Sequence, residues 1–331
     1  MNVGIIGAGL IGNKRAAALP KDSCRLVAVS DLRKEPAQKL ASSYQAEVEE
    51  DPWKLIQRKD IQIIIIATSN DSIASYACAA LEAGKHVLIE KPGGRNPSDL
   101  SRIISSADRS KGILRVGFNH RFHPGLQKAK EMAQKEGFGP LMYIRAKYGH
   151  GGRLGYDQEW RANPELSGGG ELLDQGVHLI DLCRWLGGEF ELEFGRAKTF
   201  FWNMPVEDNG FLYLTSPDKS RTAFLHASCT EWKNLFHFEL FGRTAKIEIV
   251  GLGRSYGQEE FRYYQMKPEM GPPDLQVETF PGEDPSWKLE FQAFLNEIKG
   301  EKTDIGTAFD ALRAVEIVHQ TYVQSGLSWV K

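Results

Sequence analysis

The stretch Val3-Gly4-Ile5-Ile6-Gly7-Ala8-Gly9-Leu10-Ile11-Gly12 decides the first part of the fold. Its apolar start predicts a buried strand, and the residues from Leu10 to about Leu19 predict a helix. Between them the glycines have the spacing G-x-G-x-x-G. The first glycine allows a tight turn, the second lets a pyrophosphate approach the backbone, and the third lets the helix pack closely on the strand. The helix N-terminus supplies N–H groups and a partial positive charge for phosphates.

An acidic residue supports a bound dinucleotide. Asp31 directly follows a second predicted strand, Leu26–Ser30, about 20 residues beyond Gly12, where a carboxylate binds the adenosine ribose hydroxyls. Because a carboxylate repels a ribose 2′-phosphate, Asp31 favours NAD, with NADP the less favoured cofactor. Arg33 partly offsets this preference. The alternative interpretation is a structural glycine turn in a protein that binds no nucleotide.

The first 120 residues alternate between short apolar strands and amphipathic helices. The run Ile63–Ala67 has no polar alternation, which is typical of parallel strands buried on both faces. Repeated strand–helix–strand units with short connections predict a doubly wound parallel sheet. We therefore predict an α/β protein whose residues 1–120 form an NAD-binding Rossmann domain.

Residues 121–331 have a different pattern, which predicts an α+β domain for substrate binding and oligomerisation. A helix is predicted over Glu171–Leu186, and residues 268–286, with five prolines, predict a long surface loop. Runs that alternate apolar and polar residues predict a large, mainly antiparallel open sheet. These runs are Glu193–Trp202, Gly210–Thr215, Thr222–Cys229, Phe236–Phe241 and Ala245–Val250. Helices over Trp287–Ile298 and Gly306–Ser325 end the chain.

Composition argues against several classes of protein. The net charge of −2 gives no bulk field that favours nucleic acid or an anionic membrane. The four cysteines are scattered without the spacing of a metal site or a disulfide framework, which indicates a reducing compartment. The N-terminus has no leader-like segment, and no apolar run is long enough to span a bilayer. We expect a cytoplasmic protein with a small-molecule partner, no nucleic acid, no membrane and no metal.

Two further segments carry candidate chemistry. A predicted strand ends in Glu90-Lys91-Pro92, and a lysine at the carboxyl end of such a strand can hydrogen-bond a substrate hydroxyl. On a helix, Asp174 and His178 share one face, and Asp181 follows one turn later. A histidine beside a carboxylate can act as a general base near neutral pH. The alternatives are a surface lysine and a buried, hydrogen-bonded histidine.

These motifs, in their order along the chain, resemble the Gfo/Idh/MocA family of oxidoreductases. The glycine turn, Glu90-Lys91-Pro92, Gly117–Phe122 and the segment Gly168–Asp181 carry the resemblance, which extends over essentially the whole chain. It implies the fold predicted above, NAD-dependent oxidoreduction, and a homodimer or homotetramer formed through the open sheet. It also implies that Lys91 contacts the substrate and the nicotinamide ribose, that His178 is the general base, and that Asp174 orients it.

The resemblance and the motifs together give the predicted site. The catalytic residues are Lys91, Asp174 and His178. The predicted cofactor-binding residues are Gly7, Gly9, Leu10, Ile11, Gly12, Asp31, Arg33, Ala67, Thr68, Asn70, Glu90, Lys91, Pro92 and Asn119. The predicted substrate-binding residues are Lys91, Arg121, Tyr148, Trp160, Arg161, Asp174 and His178. The chain departs from the family at Ser69, where the family usually has proline, and at Gly93-Gly94.

The expected reaction is oxidation of a secondary ring hydroxyl by hydride transfer to NAD. The substrate class is a sugar, a nucleotide sugar or a cyclitol, with a sugar or nucleotide sugar favoured by the arginines near the motifs. Two alternatives stay open. One is a catalytically silent, cofactor- or sugar-sensing regulator, which the presence of Lys91 and His178 disfavours. The other is an enzyme in which NAD is reduced and reoxidised within one reaction cycle.

Overall fold

The computed structural model describes residues 1–327 and Trp329, which divide into two compact units. The first unit consists of residues 1–119, 165–168 and 287–313. The second consists of residues 120–164, 169–286 and the chain from Ala314 onward. A domain boundary at residue 120 stays a prediction, because the first unit also contains the two later segments.

The first unit contains the parallel sheet. Its strands are β1 (Asn2–Ile6), β2 (Arg25–Ser30), β3 (Glu47–Val48), β4 (Ile63–Ile66), β5 (His86–Glu90) and β6 (Leu114–Gly117). The helices that alternate with them are α1 (Leu10–Ala17), α2 (Lys34–Tyr44), α3 (Pro52–Gln57), α4 (Asn70–Glu82) and α5 (Pro97–Arg109).

The order of these strands creates a ligand-binding edge. In the described part of the chain the order is β3-β2-β1-β4-β5-β6, and each pair of neighbours is parallel. The direction of winding reverses between β1 and β4, and an open sheet of this kind binds ligands at the carboxyl ends of such strands. The four isoleucines of β4 are fully buried, which explains their unbroken apolar run.

The second unit contains the mainly antiparallel sheet. Its strands are β7 (Leu141–Gly149), β8 (Glu191–Lys198), β9 (Asn209–Thr215), β10 (Thr222–Ser228), β11 (Leu235–Gly242), β12 (Ala245–Val250), β13 (Glu259–Gln265) and β14 (Asp274–Phe280). Helix α6 (Pro124–Ala133) precedes the sheet in the chain. The short helix α7 (Pro164–Ser167), a π-helix (Leu172–Gly176) and α8 (Val177–Gly187) come between β7 and β8. A 3-10 helix covers Asn119–Phe122.

One face of the second sheet is buried and the other is open. Across the described residues the order is β14-β13-β12-β11-β7-β10-β9-β8, and every neighbouring pair is antiparallel except β10 with β7. Along β10, Ala223 and Leu225 are buried, whereas Phe224 is exposed. The predicted fold class, a Rossmann-type parallel sheet followed by an α+β domain with a mainly antiparallel sheet, is confirmed.

One local prediction was wrong, and another was confirmed except for the type of helix in its first turn. The proposed loop over residues 268–286 contains β14, and β13 precedes it. The prolines flank β14 rather than interrupt it, and β14 is an edge strand with nearly all residues exposed. Leu275 and Val277 alternate with polar residues along β14, but this short pattern is enclosed by prolines on both sides, which favour a loop. The helix predicted over Glu171–Leu186 has a π-helical first turn, Leu172–Gly176, before α8 begins at Val177.

The described chain ends in two helices, α9 (Ser286–Ile298) and α10 (Ala308–Ser325). Their apolar residues alternate with charged and polar ones. Among the residues that the structure describes, no helix is both long enough and apolar enough to cross a membrane.

Candidate active site

The glycine turn after β1 has the conformation that its sequence predicts. Gly7 has a φ of +100°, a region that favours glycine, and a Cβ there would overlap the Ala67 carbonyl. A Cβ on Gly12 would overlap the Gly7 carbonyl, so this glycine lets α1 lie against the turn. Gly9 differs, because a Cβ at Gly9 would meet no heavy atom within 4 Å. The backbone at Gly9 is therefore open to an approaching ligand.

The N-terminus of α1 suits an anion. Gly9 is the N-cap, and within the described residues no side chain caps the helix and no acidic residue lies in its first turn. Leu10, the first helical residue, is 75% exposed. A helix end with open N–H groups and no acidic residue in its first turn suits a phosphate. The residues present thus fit the pyrophosphate of a dinucleotide.

Asp31 is fixed in place at the end of β2. Its Oδ2 accepts a hydrogen bond of 2.7 Å from the Ala8 N–H, and its Oδ1 accepts one of 2.8 Å from the Arg33 N–H. The Arg33 side chain is 72% exposed, and its Nε lies 3.7 Å from Asp31 Oδ1. Two main-chain donors therefore hold the carboxylate beside the glycine turn. Its remaining lone pairs can accept hydrogen bonds from ribose hydroxyls.

Other predicted cofactor-binding residues follow the strands of the same sheet. Ala67 and Thr68 follow β4, and the Ala67 N–H bonds the Ile6 carbonyl at 2.8 Å. Asn70 begins α4 and is buried, and its Nδ2 donates to the Ser167 carbonyl at 2.7 Å. The Asn70 side chain therefore has a partner within the protein.

Glu90 lies in a buried ion cluster that the sequence did not predict. Arg15 of α1 is fully buried and pairs with Glu90, at the end of β5, and with Glu290 of α9. Gly117 of β6 leaves the space that the guanidinium fills, because a Cβ there would overlap Arg15 Nη2. The Arg15 guanidinium also lies 4.6 Å from the Trp287 ring centroid. Glu90 thus fixes the strand end at Lys91, and a contact of Glu90 with the cofactor stays a prediction.

The segment with Asp174 and His178 lies in the second unit. Asp174 belongs to the π-helix and His178 to the first turn of α8, so both occupy one continuous helical stretch. Arg161 bonds Asp174, with 2.9 Å between Nε and Oδ2, and the Asp174 charge raises the pKa of Arg161. His178 is 3% exposed, and its ring stacks on that of His120. Asp174 is therefore held by a cation and His178 by an aromatic partner.

The run Gly168-Gly169-Gly170 has a packing explanation. Gly168 has a φ of +81°, and Cβ atoms on Gly169 and Gly170 would overlap the Tyr322 hydroxyl and the Glu207 carbonyl. Glu207 is fully buried. It accepts hydrogen bonds from Gly170 N and Leu172 N, both 2.9 Å, and from Tyr322 Oη at 2.7 Å. This carboxylate caps the helical stretch that presents Asp174 and His178.

The predicted substrate-binding residues lie in different surroundings. Arg121 is buried and bonds Asp181 of α8, with 2.8 Å from Nε to Oδ2. Tyr148 is also buried, and burial raises the pKa of its hydroxyl well above the ordinary value. Trp160 is in a 3-10 helix, with the Arg161 guanidinium 4.7 Å from its ring centroid. The contacts of these residues with a substrate stay predictions.

A second polar group adjoins Asp174. Glu171 lies directly before the π-helix, with its Oε2 3.4 Å from His150 Nε2 and 3.3 Å from the Tyr156 hydroxyl. Burial alone lowers the pKa of His150, but the hydrogen bond and charge of Glu171 override it and raise the pKa overall. Sequence reasoning missed Glu171, although it stands three residues before Asp174 in the motif.

Another cluster of metal-ligating side chain types lies on the open sheet face. In the part of the chain that the structure describes, ligand atoms of His237, Glu239 and Glu248 lie within 4.8 Å of one another. Lys246 lies 2.6 Å from Glu239, and Arg145 also pairs with it. These cations already balance the carboxylates, so an ion network between strands explains the cluster.

Together, the first unit is a Rossmann-type dinucleotide-binding unit, and the second is an α+β unit that carries a polar site on α8 and the preceding π-helix. The chain matches the family model described as an oxidoreductase family with an NAD-binding Rossmann fold, over residues 1–118. It also matches the model of the GFO/IDH/MocA C-terminal domain, over residues 126–248. The chain belongs to the Gfo/Idh/MocA family, as the motifs predicted, and NAD is the cofactor that this Rossmann fold binds.

Characterised relatives in sequence are dehydrogenases of sugars and cyclitols. Levoglucosan dehydrogenase of Pseudarthrobacter phenanthrenivorans is 30% identical over 63% of this chain and 57% of its own length. D-Glucoside 3-dehydrogenase of Escherichia coli is 31% identical over 60% and 58%. Myo-inositol 2-dehydrogenase of Thermotoga maritima is 29% identical over 57% and 55%. The matched part thus spans little more than half of each relative.

Solved structures share the fold over nearly the whole chain. Levoglucosan dehydrogenase in complex with NADH and levoglucosan has a TM-score of 0.88 at 21% identity, covering 98% of this chain and 97% of that one. A 3-ketoreductase of Actinomadura kijaniata in complex with NADP and TDP-benzene has a TM-score of 0.82 at 20% identity, covering 98% and 97%. At these identities the likeness establishes the fold alone.

Glu207 makes the stability of the protein depend on pH. Burial raises its pKa from 4.5 to about 7, although its hydrogen bonds act in the opposite direction. The folded state therefore binds this proton more tightly than the unfolded state. The stabilisation is fully present below pH 4.5 and is lost as pH rises through about 7. We expect Glu207→Gln to remove this pH-dependent contribution, which changes the free energy of unfolding by up to about 3 kcal/mol between these pH values.

Urea unfolding of wild type and variant at closely spaced pH values measures this term. The difference in the free energy of unfolding between the two should change across the interval. An exposed carboxylate, in Glu191→Gln, serves as the control and should give curves parallel to wild type. Parallel curves for Glu207→Gln would contradict the assignment.

Proposed function

We propose that the protein is an NAD-dependent dehydrogenase that oxidises a secondary ring hydroxyl of a sugar, a nucleotide sugar or a cyclitol. Membership of the family and the names of the relatives support the reaction class. The observation that carries the proposal is the Arg161–Asp174 ion pair on the helical stretch of His178, in a chain that also has Lys91. A regulator that had lost catalysis would not need to keep all of these groups.

The roles of the residues follow from their chemistry. When bound, the nicotinamide ring accepts the hydride from the substrate carbon. His178 accepts the proton of the substrate hydroxyl, and Asp174, held by Arg161, orients the imidazole and favours its protonated form. Lys91 donates a hydrogen bond to the substrate oxygen and stabilises the negative charge that develops there.

The charged groups beside Asp174 favour a polyhydroxylated substrate. Arg161 keeps donors in addition to the one that bonds Asp174, and the Trp160 ring beside it offers an aromatic face. Mixed donors and an aromatic face suit a sugar ring, and a guanidinium also suits a phosphate of a nucleotide sugar. The reverse direction, reduction of a ketone, uses the same groups with the proton moving from His178 to the substrate.

We also propose a homodimer or homotetramer that forms through the open face of the second sheet. Phe224 is 49% exposed on this face and stands opposite Tyr213, which is 40% exposed. Aromatic side chains that are exposed on the sheet face of a single chain are typical of a surface that a second chain covers. We expect an oligomer by light scattering of the eluting protein, and monomers for Phe224→Glu. A monomeric wild type would contradict the proposal, and Val323→Glu, on an exposed part of α10, serves as the control.

Asp31 should set the cofactor preference. Because its carboxylate stands where a 2′-phosphate would be repelled, we expect a higher kcat/KM with NAD than with NADP. Asp31→Ala should lower the ratio of kcat/KM with NAD to kcat/KM with NADP by about 10-fold or more. The substitution removes the repulsion between the carboxylate and the 2′-phosphate and leaves Arg33 in place. The measurement is steady-state kinetics with both cofactors, and Asp22→Ala, an exposed aspartate, is the control. A wild-type preference for NADP would refute this assignment.

Removing either catalytic group should lower kcat far more than it weakens cofactor binding. We expect His178→Asn and Lys91→Met each to reduce kcat by about 10²–10⁴-fold, the usual contribution of general acid–base assistance. The assay follows NADH formation with levoglucosan, methyl glucoside, myo-inositol and nucleotide sugars, and fluorescence titration follows NADH binding. Net NADH release also distinguishes a simple dehydrogenase from an enzyme that recycles its NAD.

The same two substitutions at other positions serve as controls for His178→Asn and Lys91→Met. His319→Asn and Lys111→Met change the same residue types at sites with no proposed role and should keep the wild-type kcat. If both catalytic variants kept the wild-type kcat on the best substrate, the assignment of roles would fail.

A further inference from the structure

A second histidine lies face to face with the proposed general base. The rings of His120 and His178 are 3.7 Å apart between centroids, with an angle of 15° between their planes. Both residues are buried, at 7% and 3% exposure. A stack this close and this parallel brings the two imidazoles into direct contact. No sequence motif assigns His120 a role of its own.

An ion pair holds the two rings in this arrangement. His120 belongs to the 3-10 helix Asn119–Phe122, and His178 belongs to α8. The next residue in the 3-10 helix, Arg121, bonds Asp181, which lies one turn beyond His178 on α8. The Arg121–Asp181 ion pair therefore fixes the backbone next to both rings. It acts one residue after His120 and one helical turn after His178.

Aromatic side chains close the edges of the stack. The ring centroids of Tyr148 and Phe236 lie 5.2 Å and 6.1 Å from that of His120, both edge-on. Tyr148 also lies edge-on to His178, at 6.2 Å. Burial, together with the neighbouring Tyr256, keeps the pKa of Tyr148 well above its ordinary value, so this phenol is neutral wherever histidine titrates. Tyr148 and Phe236 therefore bring no charge to the edges of the stack.

The charged groups around the pair are themselves compensated. Arg121 and Asp181 pair with each other. His123, edge-on to His120 at 5.6 Å, lies 3.0 Å from Glu259 and 3.8 Å from Asp284.

On the other side, the groups nearest in sequence to His178 are compensated in the same way. Asp174 pairs with Arg161, and Glu171 lies against His150. These pairs reduce the net charge that the neighbouring residues place near the two rings.

We propose that His120 is a positioning residue for His178 and that the stacked pair, neutral before the reaction, can hold at most one proton. Two cations at this distance in a buried site repel strongly, so a proton on one ring excludes a proton on the other. A neutral ring stacked on an imidazolium attracts it, so neutral His120 favours the proton that His178 accepts. The two rings titrate as a unit with shared macroscopic constants. The catalytic part of this inference rests on the proposed function, whereas the shared titration does not.

Histidine ring NMR on the full-length protein tests the titration without any substrate. With the histidine Cε1 positions labelled, the wild-type signals of His120 and His178 should change over the same pH interval, each with partial amplitude. In His120→Phe, which keeps a flat ring, the His178 signal should titrate with full amplitude. Its midpoint should move to lower pH, by about 0.3 when the wild-type rings share the proton equally, because one of two competing sites is gone. Two independent full-amplitude transitions in wild type would overturn the shared proton.

Kinetics then test the positioning. We expect His120→Ala, which removes the stacking surface, to lower kcat by about 10-fold or more while NADH binding is unchanged, and His120→Phe to restore kcat to within about threefold of wild type. The control is His226→Ala, which removes a ring stacked at 4.3 Å on Phe211. Wild-type kcat in His120→Ala, or equal losses in the Ala and Phe variants, would overturn the positioning role. Failure of the dehydrogenase function would instead appear as no turnover by wild type, with the NMR result unaffected.

Discussion

The first unit depends on the buried cluster of Arg15, Glu90 and Glu290. A fully buried guanidinium loses its hydration, and only carboxylates placed directly against it compensate for that loss. Here they come from the end of β5 and from α9, so the cation on α1 connects three parts of the unit. Breaking one of these pairs would leave a buried charge without its counterpart. The helix whose N-terminus we propose to bind the phosphates is thereby fixed to the strand end that carries Lys91.

The second unit also contains a buried carboxylate, and here hydrogen bonds rather than a cation compensate for the lost hydration. Glu207 accepts two main-chain N–H groups at the start of the π-helix and a hydrogen bond from Tyr322. Gly169 leaves space for Tyr322 and Gly170 leaves space for Glu207, whereas Gly168 has a positive φ and a Cβ there would overlap Arg95. In each unit, therefore, a buried glutamate determines where a proposed catalytic segment begins, and neither glutamate needs to contact the substrate to do so.

The sequence predicted features formed by residues close together in the chain, and it did not predict contacts between residues far apart in the chain. The glycine turn, Asp31 and the Asp174–His178 spacing are local, and local patterns determine backbone conformation. The Arg15 cluster joins residues separated by 75 and 275 positions, and Tyr322 lies 115 positions from Glu207. A motif reports which groups could act but not which distant partner each one has. Arg121 illustrates this limit, because a residue predicted to bind substrate is bonded to Asp181.

Cofactor choice is a property of individual side chains rather than of the fold. Solved structures with TM-scores of 0.88 and 0.82 to this chain contain NADH and NADP respectively, so the arrangement of strands does not discriminate between the two cofactors. We propose that the groups at the end of β2 discriminate between them. There the main chain orients the Asp31 carboxylate with two N–H donors, whereas the Arg33 side chain is largely in solvent. A fixed charge acts over a short distance at full strength, while an exposed, mobile charge is screened by water and salt. On this reasoning the Asp31 carboxylate outweighs the arginine, and the difference in burial supports our proposal that Asp31 sets a preference for NAD.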